Sequence, residues 1–202
     1  MTLIVVAAIV IVSIMGFNNR NIIDQLILDP YIVNKRKEWF RLLSCALIHA
    51  DTMHLAFNMI ALYSFGQALE SYFAYTMPNM PMLMYATLLI GGQLASVLPS
   101  YAKHKDNYNY RSLGASGMVT AVIFAAIVFN PWGKIQLYFI PIPGIVFGLL
   151  YLAYEYYSSK NSNDNINHDA HYWGGVFGVL FVALTNPQVG LNFIEQLMHP
   201  NF

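Results

Sequence analysis

Charge is confined to a few short stretches of the chain. Six windows carry no Asp, Glu, Lys or Arg: residues 1–19, 52–69, 71–102, 112–133, 135–154 and 170–194. Each is mostly apolar and close to the ~20 residues that a membrane-spanning helix needs. Pro78, Pro81 and Pro99 trim the third window to a helix near 81–98. Helices satisfy their own backbone polar groups, which lipid cannot do, so they are the expected spanning form. The alternating short segments of a transmembrane barrel are not seen. The pattern predicts an all-α, polytopic membrane protein, a six-transmembrane-helix bundle forming a single domain over 1–202. The first window has no basic start before Leu3–Val12 and no small-residue cleavage site after it, so it is expected to be retained as a helix.

The connections differ in character. Residues 18–50 mix Asp29-Pro30, the run Lys35-Arg36-Lys37-Glu38, and Trp39 and Phe40, which suggests an amphipathic segment at the membrane interface. Pro141 and Pro143 are expected to kink the start of the fifth helix. Residues 155–169 read as a polar loop.

Composition narrows the class. Hydrophobic residues make up 57% of the chain and charged residues 10%, against about 25% charged in soluble domains. That excludes a soluble enzyme and a disordered chain, and makes the lipid bilayer the surrounding phase. Ten basic and ten acidic residues cancel, so no basic field points to nucleic acid. Cys45 has no disulfide partner. Six histidines without a tight ligand cluster specify no metal, and no cofactor is implied.

Polar residues inside apolar spans are costly and are functional candidates by default. Three places qualify. His54 and Asn58, four apart on one helical face, open the second helix. Ser116 lies in Gly114-Ala115-Ser116-Gly117 at the start of the fourth. His171 lies in Ala170-His171-Tyr172-Trp173-Gly174 at the start of the sixth. Second, fourth and sixth helices run the same way through a bilayer, so these N-termini share one side. A serine and a histidine within hydrogen-bond reach make a nucleophile and a general base. Gly174 and Gly178 would let the sixth helix pack closely on the small face Gly117, Ala121 and Ala125 of the fourth. Taken singly, Ser116 reads as a cap, His171 as interfacial, and His54 with Asn58 as interhelical glue. Asp169 is too near His171 in sequence to orient its ring, so a dyad is expected. No acidic residue falls inside the windows, which disfavours an ion-coupled transporter.

At these residues the sequence resembles the rhomboid family of intramembrane serine proteases. The resemblance rests on Gly114-Ala115-Ser116-Gly117, His54-x-x-x-Asn58, and Ala170-His171-x-x-Gly174-x-x-x-Gly178, in order on the right helices. Arg41, Gly66 and Glu70 also fall where members carry such residues. The resemblance implies an intramembrane serine endopeptidase that cleaves transmembrane or juxtamembrane segments of membrane proteins by a Ser–His dyad. Ser116 would be the nucleophile and His171 the base, with His54 and Asn58 helping to form the oxyanion hole. It implies a multi-pass protein of the plasma (inner) membrane with the site facing outward. The positive-inside rule opposes that orientation, because nine of ten basic residues fall on the side of the site; the family topology is followed. One departure is Thr120, where members often place an aromatic residue four after the serine. The alternative is a catalytically silent, rhomboid-like protein that binds membrane clients. Retention of both Ser116 and His171 argues against it.

Overall fold

The computed structural model describes residues 1–199 except 138, 163 and 165. Among the described residues the elements are α1 (Thr2–Asn18), α2 (Arg20–Leu26), α3 (Pro30–Arg36), α4 (Arg41–Ser44) with a following 3-10 turn (Cys45–Leu47), α5 (Thr52–Thr76), α6 (Pro81–His104), α7 (Ser116–Phe129), a hairpin of β1 (Lys134–Leu137) and β2 (Ile140–Pro143), α8 (Gly144–Asn161), α9 (His168–Thr185) and α10 (Pro187–Met198).

Each charge-free window holds a long helix, but the bounds shift for identifiable reasons. Helix α5 starts where Asp51 caps it, accepting from the His54 N–H at 2.8 Å, and runs on to Thr76. Helix α6 continues through Pro99 to His104 rather than stopping before it. The fifth window does not open on a kinked helix. Its first part is the antiparallel hairpin Lys134–Leu137 with Ile140–Pro143. Pro141 and Pro143 lack an N–H, which suits an isolated edge and, for two prolines so close together, strongly disfavours a helix interior, so α8 begins only at Gly144. It then runs through Asn161, so residues 155–161 are helical and not loop; residues 163 and 165 of the expected loop lie outside the described residues. The sixth window breaks at Asn186, where Pro187 opens α10 after a bend of 114°.

These shifts change the span count. By length and composition one helix, Pro81–His104, suffices to cross a membrane, and up to three do if each of two bent pairs forms one span. The pairs are Arg41–Leu47 with Thr52–Thr76, bent by 98°, and α9 with α10. Helices α1 and α7 are apolar but have only 17 and 14 residues. The six-span expectation is thus not reached by this measure, which gives one span or up to three.

Helix α7 is the centre. Eleven of its residues, including Ala121, Val122 and Ala125, are buried, as expected of a helix that is apolar all round. It packs against α5, α6 and α9. The outer helices turn large apolar side chains outward, among them Ile4, Ile60, Leu83, Leu149 and Leu184, each more than 60% exposed. Such a belt suits lipid and not water.

Candidate active site

The N-terminal ends of α5, α7 and α9 converge on a cavity of about 540 Å³. Its lining includes Asp51, His54, Asn58, Ser96, Gly114, Ser116, Asn167 and His171. All four residues singled out in the sequence thus meet in one space.

Ser116 is the first residue of α7. The chain reaches it through Gly114, whose φ of +114° is a conformation that side chains disfavour. A Cβ at Gly114 would also come within 2.7 Å of the His54 ring. His49 fixes this turn from behind. It is fully buried, lies 3.0 Å from Ser13 Oγ, and accepts from the Ala115 N–H at 3.4 Å through Nε2. Being the first helical residue, Ser116 has an N–H without an intrahelical acceptor.

His171 Nε2 lies 2.7 Å from Ser116 Oγ. The backbones of α7 and α9 set this distance. A Cβ on Gly174 would stand 2.2 Å from the Gly117 carbonyl oxygen, and one on Gly178 equally close to that of Ala121. Only glycine permits this approach. On the other side of the cavity, Asn58 is buried, and its Nδ2 donates to the His54 carbonyl at 2.8 Å. An amide nitrogen carries two hydrogens, so a second donor remains. The His54 and His49 rings meet edge to face at 4.9 Å.

One residue escaped the sequence reading. Glu155, assigned to a loop, lies on α8 with 3% exposure. The charge-free window stops at residue 154, whereas α8 runs on through Glu155, so this helix carries an acid just past the window's end. Glu155 Oε1 stands 3.0 Å from His171 Nδ1, so the expected bare dyad has a carboxylate behind it. Its Oε2 stands 2.6 Å from Nδ1 of His168. Asp169 points elsewhere, to Lys103 Nζ at 3.2 Å. Asp164, in the loop, is held below the usual carboxylate range by the backbone hydrogen bond from Ile166, with further help from Ser162 and His168. The available signal for Glu155 was Tyr151-x-x-x-Glu155, one helical turn on one face, had the helix been carried one turn past the charge-free window.

Thr120 donates to the Ser116 carbonyl at 2.8 Å. The aromatic ring facing His171 comes instead from α8. Tyr151 lies roughly parallel to the imidazole, at 28°, with centroids 6.4 Å apart. His104 stacks on Tyr110 at 3.8 Å, apart from this group.

The Rhomboid domain model matches residues 36–188. The chain is 28% identical over 151 residues to RHOMBOID-like protein 12, mitochondrial, of Arabidopsis thaliana, covering 69% of this chain and 44% of that protein. It is 28% identical over 153 residues to Rhomboid protease GluP of Bacillus subtilis (strain 168), covering 76% of this chain and 27% of the relative. It is 29% identical over 160 residues to Rhomboid protein 1, mitochondrial, of Saccharomyces cerevisiae, covering 77% and 43%. The matches thus span half or less of the length of these curated relatives.

Proposed function

The chain belongs to the rhomboid family, and from that premise we propose that it is an intramembrane serine endopeptidase acting on membrane proteins that carry a transmembrane segment. The observation that supports this best is the 2.7 Å contact between Ser116 Oγ and His171 Nε2 inside a cavity at the start of a buried helix. Helix α7 has 14 residues, so it is about 21 Å long at 1.5 Å per residue. The hydrocarbon core is about 30 Å thick. A helix that short, rooted at the far face, places its first residue below the near surface. In this reading α1, α5, α6, α7, α8 and α9 are the six spans of one domain.

Ser116 is the nucleophile. As Oγ attacks the scissile carbonyl, its proton passes to His171 Nε2 and the carbonyl π pair moves onto oxygen. The Ser116 N–H, His54 and Asn58 face that oxyanion across the cavity. When the C–N bond breaks, His171 returns the proton to the leaving amine. In deacylation His171 takes a proton from water, whose oxygen attacks the acyl carbon, and Ser116 regains its hydrogen. The scissile bond must be extended to be attacked, so substrates are segments that unwind locally. Two relatives are mitochondrial by name, which lends no support to a plasma membrane, and the reading keeps to an integral membrane protein.

The test is labelling by a fluorophosphonate probe. Modification of Ser116 that disappears in a folded His171→Ala variant is expected. A folded wild-type chain that neither labels nor cleaves would instead favour the client-binding alternative.

A further inference from the structure

We propose that Glu155 is a positioning residue for His171, making the site a Ser116–His171–Glu155 line, with His168 as the counter-charge that permits the carboxylate to be buried there. The inference rests on the reading of Ser116 and His171 as nucleophile and base.

A carboxylate only accepts hydrogen bonds. At 3.0 Å from Glu155 Oε1, His171 Nδ1 must therefore carry the hydrogen. That leaves the lone pair on Nε2, 2.7 Å from Ser116 Oγ, where a general base needs it. The same contact opposes rotation of the ring. When Nε2 takes the serine proton, the imidazolium forms directly against an anion. This division of labour is the one a buried carboxylate performs in serine-protease triads on unrelated folds.

A buried carboxylate with only a neutral imidazole as partner would be costly. His168 supplies what is missing. Its Nδ1 faces Glu155 Oε2 at 2.6 Å and its Nε2 faces Asp164 Oδ1 at 3.1 Å. A ring with carboxylates at both nitrogens donates at both, so His168 is the cation of the cluster. A mere tie between α8 and α9 would need one contact. Here both carboxylate oxygens are used, and one of them addresses the far nitrogen of the base.

Glu155→Gln, nearly isosteric, is the test. A glutamine turns either its oxygen or its NH2 toward Nδ1, and the second choice forces the wrong tautomer. The expected result is a fall in kcat of at least about a hundredfold, with KM within about twofold of wild type and the Ser116 labelling rate falling in parallel; loss of the equivalent charge elsewhere costs about 10⁴. Glu155→Asp, which keeps the charge but shortens the arm, should recover part of the loss. Turnover of a folded Glu155→Gln variant within about threefold of wild type would overturn the proposal and leave the dyad intact. Nitrogen-15 spectra of the wild-type imidazoles test the same point without a variant. His171 protonated at Nδ1 is the expected tautomer, and protonation at Nε2 alone would overturn it. A wild-type chain that does not label sinks the protease reading, and this inference with it.

Discussion

Asn58 has two roles open to it, and their magnitudes differ. In the resting site its amide donates to the His54 carbonyl one turn back, a bond that any buried asparagine on a helix can make. If that were all, Asn58→Ala would lower thermal stability and spare the turnover of the folded fraction. A donor to the oxyanion acts only after attack, and removing one typically costs about 10²–10³ in kcat. A single interhelical hydrogen bond in a membrane is worth roughly 1 kcal/mol or less. We expect Asn58→Ala to lose at least about tenfold in kcat, with substrate binding little changed and slower probe labelling of Ser116. In the proposed mechanism His54 and the Ser116 N–H share the load, which would hold the loss below the full range. Near-normal turnover in a less stable variant would assign Asn58 to the scaffold.

At the scale of elements, α7 and α9 approach so closely that main chain meets main chain at two glycines. Gly174 rests on the Gly117 carbonyl and Gly178 on that of Ala121. Overpacking a core usually costs about 1–3 kcal/mol, and here the obstacle is a helix backbone that cannot step aside. Gly178→Ala is expected to lower the melting temperature measurably. Gly174→Ala, nearer the serine, is expected to abolish labelling even in protein that remains folded. Labelling at the wild-type rate in Gly174→Ala would show that the two helices can separate without moving the base from the nucleophile. This contact was readable beforehand, because glycines four apart announce a close approach and Gly117, Ala121 and Ala125 offer a matching face. The motif residues were readable for a similar reason: a polar side chain in an apolar run has few other uses. Glu155 was not. A linear scan for charge ends a helix at the first acid, although burial depends on which face that acid occupies and what waits there. The hairpin at Lys134–Pro143 was hidden likewise, since isoleucines and prolines in a charge-free run look the same in a strand and in a kinked span.

For the whole molecule, the proposed orientation follows the family topology against the count of basic residues. In the proposed six-span reading nine basic residues lie on the side of the site, but three of them are engaged with acids. Arg41 is buried, binding Glu38 at 2.7 Å and the Asp24 and Ile27 carbonyls. Arg111 pairs with Asp29 at 3.1 Å, and Lys103 with Asp169 at 3.2 Å. Arg41 ties its loop to the bundle, and charges engaged in ion pairs are weaker topological signals than free ones. The proposed orientation directs the site away from the cytoplasm, so in sealed membrane vesicles of known sidedness a Lys160→Cys variant should react with an impermeant thiol reagent supplied at the non-cytoplasmic face. Cys45, almost fully buried, is replaced as a control. Protection of the new cysteine would reverse the orientation.

The glycine seam also divides the protein into parts with different freedom to change. Backbone contacts at Gly174 and Gly178 set the approach of the two helices, and the one side chain that holds His171 from behind, Glu155, is buried. The lipid-facing surfaces of α5 and α8, with Phe57, Ile60, Leu149 and Leu150 exposed, can therefore vary without disturbing the chemistry. A library randomised at those surface positions should yield altered preferences among clients while the reactive pair stays in register, which makes this fold a tolerant starting point for redirecting specificity.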